Sequence, residues 1–120
     1  MKTFRELIVW QKAHTLTLGI YRESRSFPRD EQYGLTSQIR RAALSTAANI
    51  VEGNKRRSPK DFAHFLNIAQ GSNEEVKYLL LVATELAYLS ASSAQGLSLL
   101  TDEVGAMLHA FAAHLKKAES

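Results

Sequence analysis

QIRRAALSTAANIVEGNKRRSPK, residues 38–60, decides the fold of this chain. Ile39, Ala43, Ala47 and Ile50 recur at helical spacing, with Ala42, Ser45, Thr46 and Ala48 around them, so one face of a helix is lined by small side chains. A neighbouring helix can approach such a face closely, because side-chain size at the contact sets the distance between axes. Gly53 then offers the left-handed backbone that ends many helices, and Ser58-Pro59 restarts one at once. Two long helices are therefore predicted back to back around a basic turn.

Upstream, Val9, Ala13, Leu16 and Ile20 form one stripe of a first helix over about residues 4–24. Phe27-Pro28 ends it, since the residue before a proline is pushed out of helical geometry. Asp30 or Ser26 is the expected cap for the second helix, over about residues 31–52. The third starts at Ser58-Pro59-Lys60-Asp61 and carries two apolar stripes to about Ser90. Gly71-Ser72 in its middle marks a close crossing or a slight bend. Ser92 with Gln95 resembles a capping box, and Leu97, Leu100, Val104, Leu108, Phe111 and Leu115 carry a fourth helix to the end. Sustained alternation and hairpin turns are missing from the pattern. The expectation is all-α: a single domain, residues 1–120, built as an antiparallel up-down-up-down four-helix bundle.

The composition narrows function more than it assigns it. There is no cysteine, hence no disulfide, thiolate metal site or cysteine nucleophile. No apolar run is long enough to cross a bilayer, and a cytoplasmic protein is expected. The formal charge of +3 is split: residues 1–61 carry +6 and residues 62–120 carry −3. Asp61 and His64 have the spacing of one half of a di-iron bundle site, but such a site needs a second copy and two more carboxylates. Neither metal nor cofactor is expected, and no nucleophile elbow or HExxH pair suggests hydrolysis.

Val9-Trp10-Gln11-Lys12-Ala13, Phe27-Pro28, Tyr33-Gly34-Leu35, Gln38-Ile39-Arg40-Arg41-Ala42, Asn49-Ile50-Val51-Glu52-Gly53 and Gly71-Ser72 form an ordered set. In these motifs the chain resembles the bacterial four-helix-bundle proteins first noticed as open reading frames inside intervening sequences of 23S ribosomal RNA genes. More distantly it resembles the accessory variability-determinant proteins of diversity-generating retroelements. The resemblance implies a four-helix bundle assembled as a ring of five subunits. For the retroelement branch it also implies a basic surface that engages nucleic acid and a reverse transcriptase.

Several residues stand out as candidate sites. Lys55, Arg56, Arg57 and Lys60 flank the start of the third helix, whose free N–H groups and dipole attract anions. Arg40 and Arg41 have two readings, an ion pair with Glu74 or Glu75, across the second and third helices or between subunits, or a contact with phosphate. Asn49 and Glu52 share a face beside Gly53 and are expected near Arg5 and Glu6, satisfying the start of the first helix. Leu7, Trp10, Leu18 and Tyr21 widen the apolar face of the first helix beyond one seam, which predicts an oligomer interface. The expected role is a non-enzymatic homo-oligomeric scaffold that binds RNA or DNA through the basic turn. A scaffold that docks only another polypeptide is the alternative; no small-molecule substrate and no membrane is indicated.

Overall fold

The structure is a computed structural model and describes residues 3–119. Four helices carry it: α1 (Ile8–Glu23), α2 (Leu35–Asn54), α3 (Pro59–Glu85) and α4 (Ala91–Glu119). No strand occurs among the described residues. Each helix is antiparallel to the next, and α1 closes back on α4. Thr17 meets Ala43, Ser45 meets Ser72, Asn73 meets Thr101 and Lys12 meets Glu103. The result is an elongated body whose principal extents are 48 × 22 × 20 Å.

The small residues of α2 act as expected. Ala42, Ala43, Thr46 and Ala47 are buried, and α1 comes near enough for the Thr17 hydroxyl to donate to the Ala43 carbonyl at 3.2 Å as well as to Ala13 at 2.8 Å. Gly53 serves the same purpose against α3. A Cβ there would stand 2.8 Å from Phe62 Cδ1 and 2.9 Å from Phe65 Cβ, so the close approach requires glycine. No glycine has positive φ among the described residues, and α2 runs through Gly53 to Asn54. The expected left-handed stop is therefore corrected to a packing contact. At Gly71-Ser72 the helix continues unbroken, as expected, and Ser72 meets Ser45 of α2 at 2.8 Å, but Gly71 itself takes no part in the contact, since a Cβ there would meet nothing within 4 Å.

Helix ends show where local chemistry overrules periodicity. Ser58 caps α3 by accepting from the Asp61 N–H at 3.1 Å, with Pro59 first in the helix. α3 stops at Glu85, short of Ser90, through two paired bonds: Ala87 N–H to the Thr84 carbonyl and Tyr88 N–H to the Ala83 carbonyl. That is a Schellman stop, with Ala87 at φ 63° in the position glycine prefers, at a cost of about 1–2 kcal/mol for an L-residue. Ser90, and not Ser92, caps α4 by accepting from the Ser93 N–H. At the start of α2 the cap is Glu31 in place of Asp30 or Ser26. One of its oxygens accepts from the Leu35 N–H at 3.0 Å and the other from the Tyr88 hydroxyl at 3.0 Å. The start of the first helix is a separate 3₁₀ turn, Phe4–Glu6, ahead of α1.

Two apolar clusters fill the interior. One joins Leu16, Ile20, Ile39, Val76 and Leu80; the other joins Val9, Ile50, Leu66, Val104 and Leu108. At mid-length lie buried Thr17, Thr46, Asn73 and Thr101. The threonines return their hydroxyls to carbonyls of their own helices. Asn73 donates to the Thr101 carbonyl at 2.9 Å, while its Oδ1 has no partner.

Gly53→Ala is expected to lower stability by about 1–3 kcal/mol, because the added methyl meets a Cβ fixed by the α3 backbone. Gly71→Ala, on an open face, is expected to raise stability by about 0.5–1 kcal/mol through helix propensity. Urea unfolding of the two variants checks the pair.

Candidate nucleic-acid interface

The α2–α3 turn lies at the end of the bundle where α1 begins and α4 finishes. This pole therefore gathers Lys55, Arg56, Arg57 and Lys60 with Arg5 and the last-turn lysines Lys116 and Lys117. The sequence reading placed Arg5 near this end, beside Asn49, but did not join Lys116 and Lys117 to the basic turn, because that takes α4 running back alongside α3. Lys55 and Arg57 are exposed, and their side chains have no ion-pair or hydrogen-bond partner among the described residues. Lys60 is exposed on the first turn of α3 beside Asp61.

Arg56 is different. It pairs with Glu52 one turn earlier at 3.3 Å, and its guanidinium lies 4.5 Å from the centre of the Phe65 ring, so it is held against its own protomer. The free N–H groups at the α3 start are also less open than expected. Ser58 takes one, and the Asp61 carboxylate stands in the same turn, offsetting the dipole that would draw an anion.

Arg40 and Arg41 part company, being neighbours on a helix and so about 100° apart around its axis. Arg40 turns to α1. Its Nε donates to Ser24 Oγ at 2.8 Å, its Nη2 to the Tyr21 carbonyl at 3.4 Å, and its guanidinium lies 4.8 Å from the Tyr21 ring centre. Arg41 is exposed and lines a cleft of about 480 Å³ between α2 and α3 together with Tyr33, Ser37, Gln38 and Glu75. Within the protomer neither arginine pairs with Glu74 or Glu75, which corrects the expectation of a link across α2 and α3. Glu75 instead accepts from Gln38 at 3.2 Å. Across the other side of α3, Lys77 binds Asp102 at 2.9 Å. That hydrogen bond, with the charges of Asp102 and then Glu74, raises the lysine above its ordinary pKa.

Asn49 and Glu52 are likewise reassigned. The Asn49 amide donates to the Ser45 carbonyl and hydroxyl, and Ser45 meets Ser72 at 2.8 Å. Asn49 therefore braces the α2–α3 seam and not the start of α1, where Gln11 already donates to the Arg5 carbonyl. Glu52 is spent on Arg56.

Of the four apolar candidates, Leu18 is the open one, at 47% exposure. Trp10 is partly covered, stacked on His14 at 4.7 Å and edge-on to Phe4 at 4.8 Å. Tyr21 lies beneath Arg40, and Leu7 packs on the core. Leu44, missed in the sequence, is 45% exposed on the neighbouring helix. The Thr17–Ala43 and Tyr21–Arg40 contacts set Leu18 and Leu44 at one level of the α1–α2 flank. A second open apolar set, Tyr78 and Leu81 of α3, lines a groove of about 570 Å³ with Ala91 and Ala94 of α4.

Residues 5–110 match the family model described as 23S rRNA-intervening sequence protein. The chain belongs to that family. A solved structure from Bacteroides thetaiotaomicron VPI-5482, described as a protein with unknown function from the S23 ribosomal protein family, shares the fold. The two superpose with a TM-score of 0.78 at 23% identity, over 88% of this chain and 98% of that one. No curated protein matches the chain. Among the described residues of this family member, no group of three or more His, Cys, Asp or Glu is placed to hold a metal ion. Nor is any helix long and apolar enough to cross a membrane.

The hydrogen bond to Glu31, followed by burial and the charges of Glu31 and Asp30, raises the Tyr88 phenol above its usual 10.0. The neutral phenol is the donor, so its stabilisation is complete below the unfolded value and is lost as pH rises through the folded one. Tyr88→Phe is thus expected to be less stable than the native chain at neutral pH, and the difference to shrink above pH 10.0. Denaturant midpoints measured across that range check it.

Proposed function

We propose that the protein is a non-enzymatic scaffold of several copies in the cytoplasm, which binds nucleic acid through the pole at the α2–α3 turn. The observation that carries this reading is the pair Lys55 and Arg57, exposed and without a carboxylate partner, on the same pole as Arg5 and Lys116. Long cations left unpaired on one end of a rigid body suit phosphate contacts that position without reading bases. Arg56 contributes little, being engaged with Glu52 and Phe65, and Arg40 belongs to a different corner. Each duplex phosphate neutralised changes the logarithmic salt slope by about 0.9. Lys55→Glu with Arg57→Glu is expected to flatten the slope by about 1.8, measured as RNA and duplex DNA retention at rising salt. No binding at low salt, or binding indifferent to this double change, sinks the reading.

Assembly rests on the half-open leucines of the α1–α2 flank. An apolar flank on a body this narrow is best covered by another copy, and the ring of five implied by the family resemblance would repeat the basic pole around an axis. Leu18→Glu with Leu44→Glu is expected to reduce the particle mass by light scattering without unfolding the chain, since both side chains are about half exposed. An unchanged mass moves the contact elsewhere, and a monomeric native chain removes it. The alternative, a scaffold docking only a polypeptide, is favoured by the Tyr78 and Leu81 groove on the far side. Nucleic-acid retention decides between the two.

A further inference from the structure

At the opposite pole, where α1 hands over to α2, a cleft of about 340 Å³ is lined by Arg25, Arg29 and Arg40, with Ser24, Thr36 and Phe27 among its walls. No carboxylate lines it. Arg25 and Arg29 are exposed and have no ion-pair partner among the described residues. None of the nearby acids lines the cleft. Glu31 caps α2 and binds Tyr88, Asp30 lies close enough for Tyr88 to feel its charge, and Glu23 is outside the lining. Three like charges around one hollow repel each other, and an anion in the hollow would relieve that.

Two further observations point to a ligand. Thr36 is only 8% exposed and lines the cleft, yet its hydroxyl makes no hydrogen bond to the protein among the described residues. The oxygen is open to the cleft, since Asn73 Oδ1 is the one buried side-chain polar atom without a partner among the described residues, and so it is free to donate to a ligand there. Arg40, for its part, is held before any ligand arrives: Ser24 Oγ fixes its Nε, the Tyr21 carbonyl its Nη2, and the Tyr21 ring its plane. The remaining N–H groups of a guanidinium so fixed form a fork suited to phosphate oxygens, with little side-chain freedom left to lose.

We propose that this α1–α2 corner is a phosphate-binding site, in which Arg25, Arg29 and Arg40 hold the phosphate group and the Thr36 hydroxyl donates to it. The phosphate is carried by a nucleic-acid strand or by a phosphorylated small molecule. The cleft is near the lower end of the range for ligand cavities, about 300–1,000 Å³, so it takes the phosphate and leaves most of the attached group outside. The site shares no residue with the α2–α3 pole and stands or falls separately from the function proposed above.

The test is a titration of the full chain, nitrogen-labelled, with sodium phosphate against sodium chloride at matched ionic strength, read by NMR. The Arg40 Nε–H and Thr36 amide signals are expected to move saturably with phosphate and not with chloride. Arg25→Gln with Arg29→Gln, both exposed and so free of a folding role, is expected to weaken binding by about tenfold or more. Thr36→Val should weaken it less, and Lys55→Gln with Arg57→Gln should leave it unchanged. Displacement of the phosphate by a short oligonucleotide assigns the site to a nucleic-acid strand; displacement by a sugar phosphate alone assigns it to a small molecule. Signals that do not move, a titration unaltered by the paired arginine change, or displacement by neither competitor would overturn the proposal.

Discussion

Everything in this bundle depends on how near α2 can come to its neighbours. On one side a hydroxyl of α1 touches the backbone carbonyl of Ala43; on the other the missing side chain of Gly53 admits Phe62 and Phe65. Larger residues at those points would hold the helices apart and open voids that the leucines and isoleucines of the two apolar clusters could not fill, at about 24 cal/mol for each Å³ left empty. At the α1–α4 contact a Cβ on Gly19 would stand 2.9 Å from Leu97 Cδ2, the movable end of a side chain, so the constraint there is softer. Large side chains fill the interior, and small ones decide where the helices cross.

That packing sorts the charges. Along the middle of the rod, cations meet carboxylates: Lys12 with Glu103 and Lys77 with Asp102. Such exposed pairs contribute about 0–1 kcal/mol each, but they leave little net charge on the flanks. At the α2–α3 end, helix termini and turns bring arginines and lysines together faster than acids can match them. The molecule is 48 Å long, several times the screening length of about 8 Å at physiological salt, and at its other tip Arg22, Arg25, Arg29 and Arg40 are matched in number by Glu23, Asp30, Glu31 and Glu85. The tips act as independent electrostatic sites on one rigid body.

Much of the fold was legible in the sequence because it rests on strong local signals. The apolar stripes, Phe27-Pro28 and Ser58-Pro59 marked four helices in order, and the motif set from Val9-Trp10 to Gly71-Ser72 carried the resemblance to the family to which the chain belongs. What escaped was decided by partners distant in sequence. Glu31 became a cap because Tyr88 reaches it from 57 positions away. α3 ended at Glu85 although Ala87 and Leu89 continue its stripes, since the stop is made by backbone bonds and the alanine carries no glycine signature. The same holds at the candidate sites. Charge in the α2–α3 turn could be read directly, but Arg40 with Arg25 and Arg29 could be joined only once α1 and α2 were seen to share a corner.

The buried belt of Thr17, Thr46, Asn73 and Thr101 bears on motion along the rod. Two greasy faces can slip past one another by a helical turn and lose little, because one leucine substitutes for another. Here, a slip of α3 against α4 by a turn would part the Asn73 amide N–H from the Thr101 carbonyl, at about 1–3 kcal/mol for the donor left unanswered. The belt works as a detent. Shear of α3 against α4, a way for a bundle to relay a binding event from one tip to the other, works here against that hydrogen bond.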